Sequence, residues 1–479
     1  MGYVPVIDWT VVAPLGIVAV TGMIALIVHM LTGNSERQWT QKVTALGLLV
    51  AATVLLGAGG SDRSTFDQTL VLDRLGSIGQ LLTVLAALIV TLVSPQYFSE
   101  KRIKLGEFYP LLAWATAGGM LVCGTRHLLN MFVGIEILSI SLYVLAGLHR
   151  TSRKSEESAM KYFLLGAFAT GFLLYGIAMF YGATGSLDSS TLVAYWSHGN
   201  PENRVLLAMS FALITVGLGF KCSLVPFHQW TPDVYEGAPT NVVAFMATGG
   251  KVAAFVALWN FADGFGTAGK FVATTFAALS VASMIVGNVL AMRQKNIKRL
   301  LAYSSIANAG YVAVTAASVA ASYKLTHVTL LYFLVGYVLT SAGFFVVLLA
   351  SAKNGSEAET IDDLRGLSGR SPVLAYSMVV FVLSLIGLGP VSGFLGKVLI
   401  LRDAVSVNMT WLAVVMVLNS IFGAFYYFGI LKAIFSPAEG DSRAISLSGA
   451  QIAALGLCVL GVVGSVVGFT PLMNHLGLR

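Results

Sequence analysis

The chain has 479 residues, of which 56% are hydrophobic and only 11% charged, where soluble proteins carry about a quarter charged residues. That balance excludes a soluble globular enzyme and points to a polytopic membrane protein. The formal charge of +7 is carried by polar breaks between apolar runs, so it reads as membrane topology and surface attraction and argues against a nucleic-acid partner.

Apolar stretches long enough to cross about 30 Å of hydrocarbon as helix recur along the whole chain. Three spans starting near residues 11, 42 and 75 make an N-terminal segment, 1–107. Five more, starting near 108, 128, 160, 205 and 239, fill 108–261, and another five, starting near 271, 296, 327, 373 and 409, fill 262–435. A last span starts near 448, within 436–479. The fold class is therefore all-α and polytopic, with fourteen transmembrane helices. Eighteen of the 29 lysines and arginines fall in loops after odd-numbered spans, and eight after even-numbered spans or at the C-terminus. Cytoplasmic loops are enriched in both residue types, so the bias puts both termini on the outer side. No basic segment precedes the first span, and no cleaved signal is expected.

The remaining three lysines, Lys221, Lys251 and Lys397, and one acid, Glu136, fall inside spans. Glu136 lies nine residues after His127 and thirteen before His149, roughly 13 Å from one end of its helix. Lys251, twelve residues after Pro239, is similarly central. Snorkelling does not bring either head group to water, so both should face the protein interior. A static ion pair that only fixes helix packing is the plain alternative, but a buried pair adds little stability. Three lysines share one carboxylate, so at least two lack a counter-ion. Desolvation disfavours the ammonium form, which makes such an amine a proton carrier.

The backbone near two of these lysines is interrupted. Lys221 is followed by Pro226 in GFKCSLVPFHQW, and Lys397 is preceded by Gly387, Gly389, Pro390, Gly393 and Gly396 in SLIGLGPVSGFLGKVLIL. Both helices should break at membrane depth, which lipid tolerates only where protein or a wet cavity satisfies the freed groups. The broken spans are seventh and twelfth, five apart. Two five-helix repeats follow, helices 4–8 and 9–13, the second inverted because five is odd, with Lys221 and Lys397 in equivalent places. The symmetry is incomplete, since the tenth span has no acid matching Glu136 and the thirteenth no lysine matching Lys251.

Lesser candidates are His228, as a relay near the break or a loop-bonded imidazole, and Tyr337, bridging Lys251 and Lys397 or packing with its hydroxyl satisfied. Ser304, Ser305 and Asn308 could line the same axis. Asp233 and Glu236 read as surface or capping groups. Cys123, Cys222 and Cys458 are scattered singly and hold no cluster or zinc spacing. No G-x-G-x-x-G after a strand and no G-x-x-x-x-G-K-[ST] loop occurs, so no nucleotide cradle is evident.

The runs KCSLVPFHQWTPDVYEGAPTNVVAFMATGGKVAAF, NIKRLLAYSSIANAGY and GFLGKVLI resemble the subunit N family of proton-pumping NADH-quinone oxidoreductase, respiratory complex I, over essentially the whole chain. TPDVYEGAPT is the most specific of these segments. The resemblance implies a fourteen-helix antiporter-like fold with two inverted repeats. Proton-transfer roles would fall on Glu136, Lys221, Lys251 and Lys397, with His228 as the histidine after the seventh-helix proline. It departs from the family at Asn308, where histidine is expected, and at GPVSG, where PP-x-x-G is more usual.

The resemblance implies that quinone reduction elsewhere in a complex drives proton movement through this chain. Glu136 would pair with Lys221 and release it, Lys251 would receive the proton, and Lys397 would pass it on. No cofactor is expected on the chain itself. NADH, FMN, iron-sulfur clusters and quinone would sit in partner subunits, and its partners would be neighbouring membrane subunits and the bilayer of a bacterial inner membrane. Two rivals stand: a multisubunit cation/proton antiporter not coupled to redox, and a scaffold whose charges only orient helices. Sodium favours oxygen ligands, whereas the buried set is three amines and one carboxylate.

Overall fold

With no water to bond backbone groups in hydrocarbon, each apolar run must close its hydrogen bonds internally, and helix is what a single segment can form. The computed structural model describes residues 7–32, 37–59, 62–101, 106–191, 201–265, 270–322, 327–352, 357–437 and 444–476. The first helices are α1 (Trp9–Thr32), α2 (Arg37–Ala58), α3 (Arg74–Glu100), α4 (Phe108–Cys123), α5 (Leu128–Ala146) and α6 (Arg153–Thr184). There follow α7 (Pro201–Cys222), α8 (Trp230–Gly237), α9 (Thr240–Met246), α10 (Gly249–Gly264), α11 (Lys270–Ala291), α12 (Ile297–Ala321) and α13 (Val328–Ala350). The last are α14 (Leu367–Arg370), α15 (Pro372–Ile386), α16 (Ser392–Ser406), α17 (Thr410–Phe435), α18 (Gly449–Val467) and α19 (Phe469–Leu476).

Among the described residues twelve helical stretches are long and apolar enough to cross a membrane, α9 and α10 counting together as Thr240–Gly264. The other two stretches expected to span are the shorter apolar helices α4 and α15, and α15 is continued beyond a break by α16. Several helices begin earlier than their hydrophobic runs, α2 at Arg37 and α6 at Arg153, because charged first turns continue the helix past the hydrocarbon. A short hairpin, β1 (Arg63–Thr65) and β2 (Leu70–Leu72), pairs Arg63 with Leu72 between α2 and α3. The sequence reads there as plain loop. Of the basic loop residues that set the predicted orientation, Arg102, Lys104, Lys324, Lys353, Arg443 and Arg479 lie outside the described residues.

The helix starts follow local chemistry. Asp73 accepts from Gly76 N at the start of α3, Asn296 from Arg299 N at the start of α12, and Ser448 and Gln451 form a capping box on α18. α12 is buried along its length, α10 and α13 nearly so, whereas α1, α2, α6, α17 and α18 expose most of their apolar surface. Glycines let the inner helices touch. A Cβ on Gly287 would stand 2.6 Å from Ala307 N, and one on Gly118 2.5 Å from Leu138 N, so α11 meets α12 and α4 meets α5 backbone to backbone.

Charged residues gather at one end of the bundle. Arg299 bonds Asp233 at 2.7 Å and Glu236 at 3.0 Å, and Lys161 bonds Asp233 at 2.9 Å. Asp233 and Glu236 are thus surface ion-pair partners and not helix caps. Deeper lies Glu357, in the segment after α13. It accepts from Tyr97 OH at 2.5 Å and from the Thr240 hydroxyl, and lies 3.3 Å from Lys298 Nζ and 3.7 Å from Lys101 Nζ. One carboxylate therefore ties together the ends of α3, α9 and α12. Burial alone would raise its pKa, but Lys298, the two hydroxyls and Lys101 outweigh that and hold it at about 2.

A carboxyl whose folded value lies below its ordinary 4.5 contributes stability above that ordinary value and loses it as pH falls toward 2. The shift corresponds to roughly 3 kcal/mol. Thermal unfolding followed from pH 6 down to pH 3 is expected to show a falling midpoint in the wild type. In Glu357→Gln the midpoint should be lower at pH 6 and flatter with pH.

Candidate functional site

The site is built on the two helix breaks. α7 ends at Cys222, and the chain turns through residues 223–229 before α8 begins, with Ser223 in the left-handed region at φ 62°. Proline at 226 removes a donor, and protein groups satisfy those set free. Val225 N donates to Ser283 Oγ of α11 at 2.9 Å, Leu224 N to Gly219 O at 2.8 Å, and Trp230 Nε1 to Phe220 O at 2.8 Å. The second break, residues 387–391, joins α15 to α16 through Gly387 at φ 82° and Gly389 at φ 80°. Gly389 stands where the related pattern has proline, and its φ is closed to proline.

Lys221, in the last turn of α7, is buried. Its Nζ donates to Ser139 Oγ at 2.6 Å and to Tyr143 OH at 3.4 Å, inside a cage of the Tyr143, Tyr162 and Phe220 rings. Gly166 makes the room, since a Cβ there would stand 1.9 Å from Tyr143 OH. The direct Glu136–Lys221 ion pair expected from the sequence is not formed. Glu136 acts on Lys221 through space, but its Oε1 is buried without a hydrogen-bond partner, and Ser139, one turn further along α5, holds the amine instead.

Lys251 is only 1% exposed. It crosses from α10 into the first break, where Nζ donates to Cys222 O at 2.8 Å and to Ser223 Oγ at 2.6 Å, beside the rings of Trp230 and Phe255. A cavity of about 20 Å³, room for roughly one water, is bordered by Ser139, Lys221 and Lys251. The two lysines thus border one small space, whose other walls are largely apolar.

Lys397 reaches back from α16 to the end of α15, donating to Leu385 O at 3.0 Å and Ile386 O at 2.8 Å. Lys251 and Lys397 therefore use one device: each amine sits on carbonyls at the C-terminal end of a half-helix, where the dipole favours a cation. Lys221 and Lys397 are not in equivalent places, since Lys221 precedes its break and Lys397 follows its own. On its far side Lys397 borders an apolar recess of about 380 Å³, lined also by Leu388, Phe394, Met416, Val417 and Ser420.

Tyr337 stands between the two halves. Its ring meets Phe255, the neighbour of Lys251, at 6.2 Å, and its hydroxyl lies 3.2 Å from Ser305 Oγ. Ser304, Ser305, Tyr337, Ser341 and Leu385 line a second cavity of about 20 Å³. Leu385 also supplies a carbonyl to Lys397. Asn308 donates to Ser304 O at 2.9 Å. His228 is not drawn into this line. It is half-buried in the first break between the exposed Pro226 and Gln229, its Nδ1 has no partner, and it bonds to none of the other candidates.

Sequence reasoning missed Ser139, Tyr143, Ser223 and Tyr235. The first two carried a usable signal, since they follow Glu136 by three and seven residues on one face of α5. Tyr235, whose buried hydroxyl faces Ser305 and Tyr337, carried none.

Residues 125–423 match the family described as NADH:quinone oxidoreductase/Mrp antiporter, transmembrane. The chain is 38% identical to NADH-quinone oxidoreductase subunit N of Trichlorobacter lovleyi, covering 98% of this chain and 95% of that one. It is 37% identical to NADH-quinone oxidoreductase subunit N 1 of Herpetosiphon aurantiacus over 99% of its length and 98% of the relative's. Among solved structures it superposes on a chain of respiratory complex I from Thermus thermophilus with TM-score 0.83 and 36% identity, covering 97% and 99% of the two chains. A chain of the Mrp complex from Dietzia shares the fold, with TM-score 0.83 at 20% identity over 97% and 96%.

Proposed function

The chain belongs to the NADH:quinone oxidoreductase/Mrp antiporter transmembrane family, and from that premise we propose that it is the antiporter-like, proton-translocating membrane subunit of an NADH-quinone oxidoreductase. One observation carries most weight: the buried amines of Lys221, Lys251 and Lys397 are bonded to hydroxyl and carbonyl oxygens, and among the described residues none makes a carboxylate contact. Such an amine can lose its proton without stranding a partner charge, and take up another.

In this mechanism Glu136 holds a proton on Lys221 through space. When a neighbouring subunit displaces that carboxylate, Lys221 hands its proton across the small shared cavity to Lys251. Ser305 and Tyr337 continue the line to Lys397. Lys397 releases the proton toward one side of the membrane, and each amine ends neutral, ready for the next proton. NADH, FMN, iron-sulfur clusters and quinone belong to partner subunits, and this chain binds none of them. The basic loops set both termini on the outer side of a bacterial inner membrane, and residues 108–261 and 262–435 act as the two inverted units.

Glu136→Gln keeps size and removes charge. The assembled complex is expected to translocate about tenfold fewer protons per electron at unchanged yield, measured as proton uptake per electron in vesicles. A wild-type ratio contradicts the mechanism. An antiporter free of redox partners predicts instead that the chain purifies without flavin and iron-sulfur subunits.

A further inference from the structure

The hydroxyl that receives Lys251 stands where the backbone would sooner have a glycine. Of the five non-glycine residues with positive φ among the described residues, Ser223 alone is buried, and its left-handed φ of 62° carries a conformational cost that glycine avoids. The hydroxyl is what serine adds there. Ser223 Oγ accepts from Lys251 Nζ at 2.6 Å and lies 2.5 Å from Thr231 Oγ1 in the first turn of α8, and both hydroxyl residues are fully buried. Other bonds hold the break itself, from Trp230 Nε1 to Phe220 O and from Leu224 N to Gly219 O.

A hydroxyl has one hydrogen to give and two lone pairs with which to accept, so the hydrogen between two hydroxyl oxygens can come from either. While Lys251 is an ammonium it donates to Ser223 Oγ, and the Ser223 hydrogen goes to Thr231. A neutral amine presents a lone pair instead. Thr231 can then donate to Ser223 and Ser223 to Lys251 Nζ, so both hydroxyls turn and the contact survives. Both acceptors of Lys397 are backbone carbonyls, which have no hydrogen to return.

We propose that Ser223 and Thr231 form a reversible hydroxyl pair that bonds Lys251 in both its loaded and its empty state, Ser223 on the amine and Thr231 as the positioning residue behind it. The pair deepens the proton-translocating function above and rests on it. When Lys251 passes its proton on, the nitrogen keeps the electron pair of the broken N–H bond, and that pair accepts the turned Ser223 hydrogen. Neither hydroxyl gains or loses a proton. Without Thr231 Oγ1 the Ser223 hydrogen has no acceptor while the amine is charged, so loading of Lys251 suffers although the serine is still present.

The test uses the assembled complex in vesicles and reads the rate of proton uptake per assembled complex beside the yield. Ser223→Gly suits the left-handed turn and removes the hydroxyl, so it is expected to assemble at wild-type yield and to translocate at least about threefold more slowly. Thr231→Val, similar in shape, is expected to show the same loss at unchanged yield, whereas Thr231→Ser keeps the hydroxyl and should stay within about twofold of the wild type. A pair that only fastened the break would lower the yield of Thr231→Val and leave its rate per complex unchanged. That outcome, or a wild-type rate in Ser223→Gly, overturns the hydroxyl pair. If Thr231→Val does not assemble, Ser223→Gly decides alone. Lys251→Met run in parallel separates the two levels: if it translocates at the wild-type rate the lysine mechanism itself falls, and if it alone is impaired only the hydroxyl pair falls.

Discussion

Replacing Lys251 by methionine is expected to abolish proton translocation in a complex that still assembles. Methionine fills the apolar part of the site between Trp230 and Phe255 but leaves Cys222 O and Ser223 Oγ without their donor. Losing those bonds costs about 1–3 kcal/mol, offset by removal of a fully buried amine whose charged form is costly there. The net change in stability is small. The functional change is large, because a positioned proton-transfer group contributes about 10²- to 10⁴-fold. Lys251→Arg separates charge from transfer: guanidinium keeps the positive charge and the donors but does not release its proton. It is expected to be as inactive as the methionine variant. Activity in Lys251→Arg, read as proton uptake driven by substrate oxidation, would show that a fixed cation suffices.

Gly393→Ala is expected to prevent assembly. Gly393 lies in the first turn of α16, its N–H donates to Ser384 Oγ at 3.2 Å, and a Cβ added there would stand 1.8 Å from the Ser384 carbonyl oxygen. Both atoms of that clash are set by backbone, so the overlap is relieved only by parting α15 from α16. The next two carbonyls, of Leu385 and Ile386, are those that hold Lys397. A cost above about 5 kcal/mol places this among the rare severe substitutions. Gly389→Ala is the control. A Cβ there meets nothing within 4 Å, so only its φ of 80° resists, at roughly 1–2 kcal/mol. The amount of chain recovered in assembled complex should fall more than tenfold for Gly393→Ala and little for Gly389→Ala.

Much of this architecture is legible in the sequence because lipid imposes one rule on every segment. Apolar length and charged punctuation located the helices, and Pro226 and the glycines near 390 announced the two breaks. Side-chain partners were harder to read. Glu136 and Lys221 are the obvious pair by charge, yet Ser139 reaches the amine first. Lys251 and Lys397 rest largely on backbone carbonyls, which every residue possesses and no motif reveals. The equivalence drawn between Lys221 and Lys397 failed because a break has two sides, and the pattern of glycine and proline does not say which side the lysine must take. Ser304 and the Tyr427 hydroxyl come together only when α12 meets α17, a contact that neither segment encodes alone. The hairpin at Arg63–Leu72 was hidden for a smaller reason, three consecutive non-glycine residues with positive φ, Phe66, Asp67 and Gln68.

The recess beside Lys397 has a consequence for how this amine communicates. Its walls are almost wholly hydrocarbon, so no mobile ions gather there to mask a charge. In such a medium the Coulomb field of one proton falls off slowly, whereas in water at physiological ionic strength it fades within about 8 Å. A proton gained or lost at Lys397 would therefore be felt sideways through an insulating window. A neighbour seated against that window would sense the occupancy of this chain as a voltage, without any moving part passing between them.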